Sequence, residues 1–77
     1  MYLNQRGFKK IENLEQYFNC KVLYMDGNGL KKIECISHMH NMRSLFLHDN
    51  LIANMEGLGN FPLLDTLNLA NNLIEKV

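Results

Sequence analysis

The sequence lacks several features that would each point to a particular class of protein. Eight basic residues balance eight acidic ones, so no general field attracts nucleic acid or an anionic membrane. The N-terminus has no apolar stretch of the kind found in secretion signals, and no apolar run approaches the ~20 residues that span a bilayer. Only two cysteines are present, without the paired framework of secreted domains. We therefore expect a cytoplasmic protein that binds neither nucleic acid nor membrane.

What the sequence does contain is a repeat. Asn28, Asn50 and Asn72 stand 22 residues apart, and the apolar residues keep the same period without an insertion or deletion. Three of the apolar columns are Leu23, Leu45 and Leu67; Met25, Leu47 and Leu69; and Leu30, Ile52 and Ile74. Self-similarity at a fixed period in this range predicts a solenoid, in which each repeat packs only on its neighbours.

Aligned on asparagine, the units follow the leucine-rich repeat pattern Leu-x-x-Leu-x-Leu-x-x-Asn-x-Leu. The first position is held by Cys20, Met42 and Leu64, and a half unit with Arg6 in place of asparagine precedes them. The sequence thus predicts an α/β leucine-rich repeat solenoid of about 3.5 units of 22 residues, forming a single domain over residues 1–77.

Each unit has a strand signal and a turn signal. In Leu23-Tyr24-Met25 the first and third side chains point to one face and the second to the other, as a short strand requires. Stacked strands predict a parallel sheet on the concave side. Beyond the strand, the asparagine amide offers both donors and an acceptor for the turns above and below it. We expect Asn28, Asn50 and Asn72 to form a structural ladder, and Arg6 to leave the first turn looser.

The return path of each unit carries apolar residues about every three positions, as in Leu30, Ile33, Ile36 and Met39. That spacing favours short helical or 3₁₀ turns on the convex side. The segment from Glu12 to Phe18 contains the better helix formers.

The concave face is the candidate binding surface. Its central column runs Tyr2, Tyr24, Phe46 and Asn68, with Asp26 and His48 beside it. Exposed tyrosine and phenylalanine are typical anchors for a protein partner. The alternative is that the aromatic side chains only stabilise neighbouring strands through cross-strand contact. The sequence pattern is compatible with both the binding role and the packing role of these aromatic side chains.

No catalytic, cofactor or metal site is predicted. Asp26 and His48 should lie roughly 5 Å apart on neighbouring strands, but no nucleophile accompanies them, so we expect a solvated surface pair. His38 and His40 flank the core residue Met39 without a carboxylate or cysteine at ligand spacing. The sequence therefore predicts a non-catalytic protein without cofactor or metal.

Segment 2–17 resembles the segment that opens the repeat domain of axonemal dynein assembly factors with leucine-rich repeats, and the likeness continues along the chain. It includes the order aromatic, aromatic, aromatic, asparagine in the concave column and the unit Gly7-Phe8-x-x-Ile11-Glu12-Asn13-Leu14. The resemblance implies a scaffold for cytoplasmic preassembly of dynein arms in cilia and flagella, with dynein chains or co-assembly factors as partners. The same repeat occurs in regulatory subunits of protein phosphatase 1 and in other leucine-rich repeat adaptors, which are the alternative.

Polar capping units are missing from both ends of the repeat pattern. The sequence opens on apolar Met1 and Leu3 and stops at Val77, a core position. Because a solenoid needs its ends covered, we expect either a segment of a longer array or self-association through the ends.

Overall fold

Three short strands form the framework of the chain, and each begins one 22-residue interval after the last. The computed structural model describes residues 1–56, 58 and 61–74. Strands β1 (Val22–Tyr24), β2 (Ser44–Phe46) and β3 (Thr66–Asn68) lie side by side in the order β1-β2-β3. All pairings are parallel, with Leu23 opposite Leu45 and Leu45 opposite Leu67. An isolated parallel bridge joins Tyr2 to Tyr24 on the other side of β1. The predicted parallel sheet is confirmed.

Strands β1 and β2 alternate between buried and partly exposed side chains, as their sequence pattern predicts. Leu23 and Leu45 are completely buried, whereas the residues on either side of each are half-buried. Leu67 is 38% exposed, because β3 has no further strand beside it among the described residues. One side of the sheet therefore faces the core, and the other is free to carry a binding surface.

The core lies between the sheet and the return segments. Its cluster of buried apolar side chains consists of Ile11, Leu14, Leu23, Met25, Leu30, Ile33, Ile36, Met39, Met42, Leu45, Leu47, Ile52 and Phe61. Four members of the repeated apolar columns depart from this pattern, since Phe8, Tyr17, Met55 and Leu67 are more than a third exposed. Val77, the last residue of its column, lies outside the described residues.

The prediction of short helical or 3₁₀ segments on the return path is wrong for the described residues, which contain no helix. In the first return segment, Tyr17 N donates to Leu14 O over 3.1 Å, and Cys20 N donates to Tyr17 O over 3.2 Å. A helix needs such bonds from consecutive residues, whereas these two turns share only one residue. The same pair of bonds recurs in the next return segment, through Ile36, Met39 and Met42.

The left-handed backbone of Asn13 and Cys35 interrupts the first two return segments. These residues occupy the same position of successive units, with φ of 63° and 60°. A right-handed helix cannot pass through a residue with positive φ, so no helix can run through Asn13 or Cys35 into the turns that follow them. The apolar residues at every third position then point inward from a chain of separate turns.

Candidate functional site

The aromatic side chains of the predicted column stack on the sheet face that is turned away from the core. We call the face that carries Tyr2, Tyr24, Phe46 and Asn68 the aromatic face. The rings of Tyr2 and Tyr24 lie 4.6 Å apart between centroids, and those of Tyr24 and Phe46 lie 4.7 Å apart. Their planes are within 7° and 6° of parallel. Neighbouring strands are separated by about 4.8 Å, so the strand register alone brings the rings to stacking distance.

Exposure falls along the aromatic stack. Tyr2 is 68% exposed, while Tyr24 and Phe46 are half-buried because each has a ring on at least one face. Asn68 continues the column on β3 and is also half-buried; it holds its own turn by accepting a bond from Ala70 N over 3.0 Å. The structure thus brings together all four residues that the sequence assigns to the central column.

Asp26 and His48 lie next to the stack and contact each other. The Nε2 atom of His48 is 3.4 Å from Oδ2 of Asp26, and the His48 ring meets the Phe46 ring edge-on, with centroids 6.4 Å apart and planes at 86°. The expectation of a solvated surface pair is wrong for Asp26, which is only 9% exposed. The sequence pattern does not reveal this burial.

Both members of this pair keep a buried polar atom without a hydrogen-bond partner. These atoms are Oδ1 of Asp26 and Nδ1 of His48. Buried polar atoms are normally satisfied, and one left alone lowers stability by about 1–3 kcal/mol. The pair is therefore the place beside the aromatic stack where buried polar atoms lack hydrogen-bond partners.

The asparagines of the repeat form a ladder that fixes the turns after the strands. The Nδ2 atom of Asn50 donates to Leu47 O in its own unit and to Met25 O in the preceding one, over 3.0 Å each. Its Oδ1 atom accepts from Asn28 N and Leu30 N over 3.1 Å each. Asn28 repeats this arrangement. Asn72 repeats it except that Ile52 N alone donates to its Oδ1. Each side chain bonds its own unit and the preceding one, whereas the sequence predicts bonds to both neighbours.

The first turn has the same backbone anchor despite Arg6. The backbone N–H groups of Arg6 and Phe8 both donate to Oδ1 of Asn28 over 3.0 Å, while the Arg6 guanidinium reaches only Tyr2 O at 3.5 Å. Arg6 carries no acceptor, so the ladder of side-chain amides ends at Asn28.

Sequence reasoning missed a row of left-handed residues that precedes each ladder position. Gln5, Gly27, Asp49 and Asn71 have φ of 54°, 70°, 60° and 58°. Glycine, asparagine and aspartate favour this conformation, and their recurrence before Asn28, Asn50 and Asn72 was the available signal. These left-handed residues lie in the turn directly before each ladder position.

A groove of about 370 Å³ lies away from the aromatic face. It is lined mainly by members of the apolar columns, among them Met1, Leu3, Phe8, Leu14 and Tyr17. None of the four residues that define the aromatic face lines this groove, so the groove is separate from the candidate site.

The remaining candidate residues have structural partners or stand apart. His38 Nε2 lies 2.9 Å from Leu14 O, which ties that imidazole to the first return segment. Cys20 and Cys35 are both free thiols. Within residues 1–56, 58 and 61–74, no group of three or more His, Cys, Asp or Glu side chains is arranged to hold a metal ion.

No protein-family model matches the chain, and no curated protein matches it. In the part of the chain that the structure describes, no helix has the length and apolar character required to cross a membrane.

Proposed function

We propose that the chain is a leucine-rich repeat solenoid that acts as a non-catalytic scaffold for a protein partner. Two observations support the solenoid. Strand partners are separated by 22 residues and pair in register, and the side chains of Asn28, Asn50 and Asn72 repeat one bonding pattern at the same interval. Units that satisfy one another in this way are the basis of repeat architectures.

The observation that carries the scaffold function is the aromatic stack on the face opposite the core. Tyr24 and Phe46 alternate with the buried Leu23 and Leu45, so they contribute nothing to the main apolar cluster. Aromatic side chains with an apolar body and an accessible edge are enriched in protein interfaces. The stack therefore offers a rigid, pre-arranged surface on which a partner loses little side-chain entropy.

A catalytic role is not part of the proposal, because among the described residues no nucleophile is hydrogen-bonded to the Asp26–His48 pair. In a nucleophile–base–carboxylate arrangement, one imidazole nitrogen faces the carboxylate and the other bonds the nucleophile. Here Nε2 faces Asp26, and Nδ1 has no hydrogen-bond partner in the described residues. A binding role for both side chains fits this geometry better.

The proposed client is a dynein chain or a factor that assembles with it in the cytoplasm of ciliated or flagellated cells. This part of the proposal rests on the resemblance of segment 2–17 and the units after it to axonemal dynein assembly factors. A phosphatase catalytic subunit bound to the same face would instead favour the regulator-like alternative.

The test is affinity capture from a flagellated cell with the full chain as bait, followed by mass spectrometry. The variant carries Tyr24→Ala and Phe46→Ala together. The matched control is Phe18→Ala, because Phe18 is 58% exposed but belongs to a return segment outside the aromatic face. Melting curves of all baits are recorded in parallel, and the double variant should lose only the stacking contribution of about 0.5–1.5 kcal/mol per ring pair.

We expect one set of proteins to be captured by the unchanged chain and by Phe18→Ala but lost with the double variant. Loss from both variants, or retention by both, would contradict a specific role for the aromatic face. Unfolding of the double variant at the assay temperature would instead support the packing interpretation of the stack.

A further inference from the structure

The chemistry of the buried carboxylate beside the aromatic stack indicates what kind of group a partner brings to this face. Asp26 is nine-tenths buried, and its Oδ1 has no hydrogen bond. Among the described residues, the one ionisable group at salt-bridge distance is the His48 imidazole, 3.4 Å from Oδ2. That separation exceeds the roughly 2.7–3.2 Å of an ordinary hydrogen bond. Neither carboxylate oxygen is therefore well satisfied by the chain itself.

Few positively charged groups lie near Asp26 among the described residues. Around Asp26, the neighbouring positions on the same face hold Asn4, Tyr24, Phe46 and His48, of which only His48 can become cationic. Among the described residues, no lysine or arginine nitrogen lies within salt-bridge distance of Asp26. A carboxylate in such a site favours a cationic ligand and disfavours a phosphate or another carboxylate.

We propose that the aromatic face binds a partner segment that inserts an arginine side chain, with its guanidinium on Asp26 and its stem along the edges of Tyr24 and Phe46. This inference rests on the proposed scaffold function and specifies the chemistry of the partner. The terminal torsion of an aspartate side chain is broad and roughly two-fold, so a rotation turns either oxygen toward the partner. We choose arginine as the occupant because its positive charge complements the carboxylate of Asp26.

Arginine fits the site better than lysine or a metal ion. Its planar guanidinium carries five donors in a fork that matches a carboxylate, it is weakly hydrated, and it packs well beside aromatic rings. The lysine ammonium is a strongly hydrated point charge. A metal ion would need more ligands than one carboxylate and one imidazole. The apolar arginine stem can also cover the ring edges while the head reaches the carboxylate.

The experiment uses a random peptide library displayed on phage and selected on the full chain. Binders are sorted first by their dependence on Phe46, with Phe46→Ala as the test and Phe18→Ala as the matched control. Each Phe46-dependent peptide is then synthesised and its affinity measured against the unchanged chain and Asp26→Asn. The central arginine of each peptide is also replaced by citrulline, a neutral isostere, so that one comparison requires no change in the protein.

We expect the Phe46-dependent peptides to be enriched in arginine. Both citrulline and Asp26→Asn should weaken them by about tenfold or more, as for a charge-assisted hydrogen bond. Peptides that depend on Phe46 but lack a basic residue and bind Asp26→Asn unchanged would overturn the arginine inference and leave the scaffold function standing. A selection without any Phe46-dependent peptide would overturn both.

Discussion

Replacing Asn50 by alanine removes the most deeply buried step of the asparagine ladder. Asn50 is 5% exposed, and its amide forms four hydrogen bonds of 3.0–3.1 Å with backbone groups, besides a longer one of 3.2 Å to His48 O. The N–H groups of Asn28 and Leu30 donate to its Oδ1, and the carbonyl oxygens of Met25 and Leu47 accept from its Nδ2. Alanine satisfies none of them, and the space left by the amide lies within the turn.

The expected loss follows from these four groups. At about 1 kcal/mol for each hydrogen bond, Asn50→Ala should lower the free energy of unfolding by about 3–5 kcal/mol. The whole chain of 77 residues has a stability of about 4–12 kcal/mol by the usual scaling with length. The substitution should therefore remove a large share of the free energy of unfolding and shift the midpoint of urea unfolding to a much lower urea concentration.

Urea unfolding followed by far-ultraviolet circular dichroism measures this loss, with the denaturant slope checked for constancy. Asn72→Ala should cost less, because the partners of Asn72 are Ile52 N, Leu47 O and Leu69 O and the site is only partly buried. Asn41→Ala is the matched control, since its amide makes one exposed bond of 3.4 Å to Asn19. A loss for Asn50→Ala below about 1 kcal/mol, or equal to that of the control, would refute the ladder argument.

Further predictions concern the left-handed positions. Gly27→Ala should destabilise the chain by about 1–2 kcal/mol more than Gly7→Ala, because both have positive φ but only the added Cβ at Gly27 meets another atom, Gln5 Cγ at 2.7 Å; equal losses in urea unfolding would contradict this. Cys35→Asn should raise the free energy of unfolding by about 0.5 kcal/mol, since asparagine tolerates the left-handed region better and Asn13 already holds the equivalent position. A lower melting temperature for Cys35→Asn would show that the thiol has another role.

The strands and their register could be predicted because they depend on a short-range pattern repeated in phase. Leu23 and Leu45 alternate with Tyr24 and Phe46, and a slip by one residue would exchange the core and the surface. The aromatic column follows directly from that register, which is why its four members come together as the sequence predicts.

The return segments could not be predicted in the same way. Apolar residues at every third position fit a 3₁₀ helix and a chain of separate turns equally well, so the pattern does not choose between them. The interruptions at Asn13 and Cys35 depend on backbone conformation. Asparagine offers a weak signal for positive φ, but cysteine offers none.

The burial of Asp26 was also beyond the sequence pattern. A polar residue on the outer face of a strand is expected in water, and the distance to His48 could be inferred from the strand spacing alone. How deeply Asp26 is buried depends instead on three-dimensional packing. The arginine proposal rests on this buried carboxylate.

The bonds by which the asparagine ladder joins two units all run from an asparagine to the preceding unit, and this delays closure of each turn during synthesis of the chain. The turn at Asn28 and Leu30 leaves its N–H groups without acceptors until Asn50 has left the ribosome, 20 to 22 residues later. Since folding during synthesis begins from the N-terminus, each unit must wait for its successor before its turn is closed. A nascent chain paused between units would therefore hold its newest turn open, however well its strand had paired.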